Sequence, residues 1–153
     1  MATTAEAVRN QLETTIKAIT PTKHAAMKFA LADRDDSVVD TAQPSGSERR
    51  FFVRLGGGQE TPPHHPAESA TVETFIVGVL YPWDWDQRAQ DVLMRSDVHD
   101  LKVALNNPSN FASNVIHQWV ERWSRPVLLG TTTDPEGWQQ EVQVVVQYWE
   151  ANS

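Results

Sequence analysis

Apolar residues recur at helical spacing near the start of the chain and later switch to alternation. Ala5, Val8, Leu12, Ile16 and Ile19 form one stripe at three- and four-residue intervals, which predicts an amphipathic N-terminal helix. Thr3 with Glu6 three residues later fits a capping box, each side chain satisfying a free backbone N–H. Pro21 ends the pattern, because proline turns the residue before it away from helix. The stripe needs a partner surface, most simply the face of a sheet.

From there the period is mainly two. In 25–32 (AAMKFALA) Met27, Phe29 and Leu31 share one side of a predicted strand. Residues 33–48 are polar, acidic at the start and broken by Pro44 and Gly46, and read as a long loop. In 48–55 (ERRFFVRL) Phe51, Val53 and Leu55 fall on one face and Arg50, Phe52 and Arg54 on the other, so neither face is simply open to water. Residues 56–66 (GGGQETPPHHP) read as a second loop, free at its three glycines and extended at its prolines.

Residues 70–81 (ATVETFIVGVLY), long and β-branched, predict a central strand that Pro82 ends. WDWDQ then reads as a turn with Asp84 or Asp86 capping a helix over about 86–106. Ser96 and Asp97 are candidates to cap a second, separate helix within it. Two further strands are predicted at 115–129 and 138–149, with 131–137 as the turn between them. Trp119 and Trp123 stand at even spacing and are expected on one face. In the last strand Val142, Val144, Val146 and Tyr148 form a core face. The expectation is one α+β domain over 1–153, with a four- to five-stranded, mainly antiparallel sheet carrying two or three helices on one face.

Composition narrows the function classes. The chain has 153 residues, 40% of them hydrophobic, which suits one folded domain. Thirteen basic against 20 acidic residues leave a charge of −7, the wrong balance for a protein that coats nucleic acid. The absence of cysteine excludes disulfides, thiolate metal sites and a thiol nucleophile. No apolar run reaches the ~20 residues of a membrane span, and the first residues lack a signal-peptide pattern, so a cytoplasmic protein is expected.

Candidate chemistry is sparse. His64 and His65 are adjacent, and His24, His99 and His117 are scattered, without the convergence that zinc requires. Asp33, Asp35, Asp36 and Asp40 are oxygen donors suited to a hard cation, but they lack the glycine and distal glutamate of a calcium loop. GGG at 56–58 has neither GK[ST] nor a following helix, and there is no GxSxG. No catalytic residue, metal or cofactor is expected. Arg49, Arg50 and Arg54 are candidate subunit contacts, since arginine pairs bidentately with carboxylates. Asp35, Asp36, Gly57, Gly58, His64 and His65 mark candidate partner-contact loops.

The ordered layout resembles the tail terminator, or tail completion, proteins of long-tailed bacteriophages. The likeness runs from about Leu12 to Trp149: an N-terminal helix, ERRFFVRL, a Gly/Pro-rich loop, TFIVGVLYP, a helical SDVHDLKVAL and two long strands ending VQVVVQYWE. It implies a small structural subunit of the virion, assembled in the host cytoplasm as a homo-oligomeric, hexameric ring. Such a ring caps the tail tube protein, ends its polymerisation and joins a head-side neck or connector protein. DNA passes through the lumen without sequence-specific binding, and acidic walls would repel it. Other neck and head-closure components share the layout. An unrelated enzyme or small-ligand domain with tryptophans lining a pocket is the remaining alternative.

Overall fold

The computed structural model describes residues 4–32, 49–61, 70–111 and 115–149. Among them are two α-helices and a six-stranded mixed sheet. Helix α1 is Ala5–Lys17, capped by the Thr4 hydroxyl, which accepts from the Ala7 amide. Val8, Leu12 and Ile16 are its buried stripe. The cap is thus Thr4; Thr3 lies outside the described residues.

Strands β1 (Phe29–Leu31), β2 (Arg49–Thr61), β3 (Ala70–Pro82), β4 (Val115–Trp123), β5 (Val127–Gly130) and β6 (Pro135–Trp149) build the sheet. Its order is β1-β2-β3-β6-β4, with β5 also paired to β6. Only β1–β2 is parallel. A parallel neighbour needs a long connection, and 32–48 provides the length. The strand expected over 25–32 shrinks to three residues.

Strand β2 continues through the glycines to Thr61 instead of opening into a loop at 56. A bulge between Leu55 and Gly57 shifts its register against β3, and Gly57 has a φ of 113°, which suits glycine. The pairing resumes at Gly57↔Thr74 and Gly58↔Glu73. The strand expected over 115–129 is broken: β4 and β5 pair with successive parts of β6, and 124–126 interrupt them. Pro126 has no N–H to give a ladder, and such breaks are tolerated at a sheet edge.

Helix α2 is Gln87–Leu105, unbroken at Ser96-Asp97, with Asp86 as its cap. A short 3-10 turn follows at Pro108–Asn110. Both helices pack on the sheet face that carries Phe51, Val53, Phe75, Val77, Val79, Val142, Val144, Val146 and Tyr148. The four core residues expected in β6 are fully buried there.

The opposite face has no helix over it among the described residues. It holds a small buried cluster of its own, Phe52 with Leu80 and the partly buried Leu129. Phe52 is fully buried because Gly78 lies opposite it in β3. A Cβ on Gly78 would fall 2.1 Å from the Phe52 ring, so the ring occupies the space of the missing side chain.

Candidate interaction surface

The sequence placed three arginines together on one strand, and the fold separates them. Arg50 and Arg54 alternate onto the bare face with Phe52, whereas Arg49 points to the helix side and is buried. Its Nε donates to Asp97 Oδ2 at 2.7 Å. Its two terminal nitrogens donate to backbone carbonyls of Lys23, His24 and Met27. Arg49 is therefore no candidate for contact between subunits. It is committed within the chain, holding the segment between α1 and β1 against the middle of α2. Thr22 reinforces this junction through two hydrogen bonds to the Asp100 carboxylate, both 2.8 Å.

Asp97 also accepts from the Tyr81 hydroxyl at 2.7 Å. Burial pushes the carboxyl up to about 6, although the Tyr81 hydrogen bond and the Arg49 charge both pull it down. The same burial, with the Asp97 charge beside it, raises the Tyr81 hydroxyl well above its ordinary range. Asp97 Oδ1 is buried with no hydrogen-bond partner among the described residues. One signal for this site lay in the sequence. Asp97 falls in the same i,i+4 row as Leu93, Leu101 and Leu105, where a carboxylate can enter a core only with a partner.

On the bare face the Arg54 guanidinium stacks over the Phe52 ring, 4.6 Å from its centre. Arg54 is exposed and Arg50 half-buried. Trp119 and Trp149 stand on the same face, each about two-fifths exposed. Trp123, expected beside Trp119, is on the helix side. Bulges in β4 shift its pairing, so that Trp119 faces Val145 but Trp123 faces Val142. The Asn106 side chain, just past α2, pins that region by accepting from the Val120 amide at 2.7 Å.

Gly57 and Gly58 are exposed on the extended end of β2. Asp35, Asp36, His64 and His65 lie outside the described residues, as do the rest of the expected loop over 33–48 and the stretch 62–69. No group of three or more His, Asp or Glu side chains among the described residues is arranged to hold a metal ion. No helix among them is long and apolar enough to cross a membrane.

The WDWDQ turn is the most prominent surface feature. Trp138 of β6 stacks on Trp83 at 6.1 Å and 24°, and Trp85 stands edge-on to Trp83 at 6.4 Å. Trp85 is 88% exposed. The turn is tied by the Asp86 amide donating to Asp84 Oδ1 at 3.0 Å and by Trp138 Nε1 donating to Gln87 Oε1 at 2.9 Å. Gln90 Nε2 closes it on the Pro82 carbonyl at 2.7 Å. Sequence reasoning placed the turn but not the aromatic column, because Trp138 is remote in the chain.

A second surface feature lies between α2 and the β4–β5 edge. It is a cavity of about 290 Å³ lined by Met94, Arg95, Val98, Trp123, Arg125 and Pro126, with Asp91, Ser124 and Gln140 completing it. The Trp123 ring carries the Lys102 ammonium at 4.3 Å and the Arg95 guanidinium at 5.8 Å. No protein-family model matches the chain, and no curated protein matches it.

Proposed function

We propose that the chain is a structural virion protein of a long-tailed bacteriophage, a tail terminator whose ring caps the tail tube and offers the surface that joins tail to head. The observation that carries this reading is the second face of the sheet. It has no helix over it among the described residues and presents Arg54, Trp119 and Trp149 to solvent beside the half-buried Arg50. Aromatic and arginine side chains are the types enriched where protein surfaces bind each other. The order helix, Arg-Phe strand, central strand, helix and C-terminal strands also agrees with the layout on which the resemblance rests. The buried charges of Arg49 and Asp97 serve the fold and face one another. A binding and scaffolding role asks nothing more of them.

The test is the particle mass of the purified protein, with charge reversal of Arg50 and Arg54 together. A ring that is lost in the double variant supports the reading, because like charges would then meet carboxylates across the contact. A monomeric wild-type protein overturns it. In a phage, loss of this gene should give tails of uncontrolled length that fail to join heads. Tails of normal length beside unattached heads would identify a head-side neck protein instead.

A further inference from the structure

We infer that copies of this chain join through Trp85 of one subunit seated in the groove between α2 and the β4–β5 edge of the next. The inference rests on the oligomeric reading above and adds a contact on the helix side, apart from the bare face that carries Arg50 and Arg54. Trp85 is the most exposed large apolar side chain among the described residues, and its backbone is held in the turn, its carbonyl accepting from the Gln87 amide at 3.1 Å. Behind it stands the Trp83–Trp138 stack, and the turn beneath is fixed by side-chain hydrogen bonds. A turn whose backbone is already held limits the freedom lost on binding, and tryptophan is among the side chains that anchor protein contacts most often.

The groove has the complementary character. Trp123, Met94 and Pro126 supply apolar wall, and Arg95 and Arg125 supply positive charge. Lys102 adds a third cation over Trp123, against the single carboxylate of Asp91. The tryptophan knob is flanked by Asp84 and Asp86, so an acidic aromatic projection faces a basic aromatic recess. Subunits of charge −7 repel one another, and a local pairing of opposite charges offsets that repulsion at the contact. Trp85 is not among the residues lining the groove of its own chain. A contact between two different patches is heterologous, and heterologous contacts generate rings when the rotation closes.

The experiment measures mass in solution for wild type, Trp85→Ser and Arg125→Glu, both substitutions being on exposed side chains. Each variant should keep its circular dichroism and lose self-association by roughly 30-fold or more, the effect of removing a central anchor. Mixing the two should then restore one contact only. Trp85→Ser keeps an intact groove and Arg125→Glu an intact knob, so the mixture should reach a larger mass than either variant alone at the same total concentration. An oligomeric wild type whose variants keep its mass, or variants whose mass does not rise on mixing, overturns the inference and leaves the ring reading standing. A monomeric wild type overturns both.

Discussion

Arg49 and Arg54 lie on one strand five positions apart, and the two sit in opposite physical regimes. Arg49 is buried on the helix side, with its charge met by Asp97 and its remaining donors met by three carbonyls. Arg54 lies on the bare face in water, resting on the Phe52 ring. The difference shows that a basic strand is not one surface. Where the sheet is covered, an arginine must be fully paired, and it then ties together segments distant in sequence. Where the sheet is bare, the same side chain keeps its hydration and remains available to a partner.

The comparison breaks most sharply if the buried pair is cut. Asp97→Ala leaves the Arg49 guanidinium buried without its counter-ion, and such losses typically cost ~3–5 kcal/mol. Denaturant unfolding should show a loss of that order. A loss under 1 kcal/mol would mean that water reaches Arg49 freely.

Acid sharpens the same contrast. The folded Asp97 carboxyl titrates at about 6, above its ordinary value near 4. The folded state therefore holds a proton that the unfolded chain has already released. By linkage, the contribution of this group to stability falls as pH rises from about 4 to about 6 and is constant above that, by up to ~3 kcal/mol. Wild type should gain stability relative to Asp97→Asn when pH drops through this window, as read from unfolding midpoints. A gap between the two that is independent of pH would refute the burial argument.

Gly78→Ala tests the bare face. The new methyl would overlap the Phe52 ring, and overpacking of this kind costs ~1–3 kcal/mol. Phe52 would have to swing outward, and Arg54 would lose its seat. A neutral effect on the thermal midpoint would show that the ring moves at no cost. Arg54→Ala should have the smallest effect, ~0.5–1 kcal/mol or less, as expected for an exposed cation over an aromatic ring. If Arg54→Ala cost as much as Asp97→Ala, the distinction between the two faces would fail.

The β-branched run at 70–81, the alternation in 138–149 and the helical row in 5–19 are local signals. They marked the strands β3 and β6 and the helix α1 without knowledge of any neighbour, while the pairing of β3 with β6 came from the fold. The glycines at 56–58 misled for a local reason: three glycines have no preference of their own for extended chain, and pairing to β3 holds them in the strand. Ser96-Asp97 left open whether one helix or two fill this segment, and the fold decided for one. A sequence that resembles a cap became the interior of α2, because Arg49 and Tyr81 wait for that carboxylate from the sheet. The expectation for Trp119 and Trp123 failed at the bulges in β4, where inserted residues change which way later side chains point.

By itself the sequence determined the periodicities: the buried stripe of α1, the inward row of β6 and the acidic balance of the whole chain. These depend only on residues a few positions apart, and period and polarity act over that range. The tertiary structure decided which arginine is buried, that β1 pairs in parallel and that Trp138 raises Trp83 and Trp85 into a column. It also decided that a groove opens beside Trp123. Each of these joins residues far apart in the chain, and such contacts exist only once packing of the sheet has offset the entropy of bringing them together.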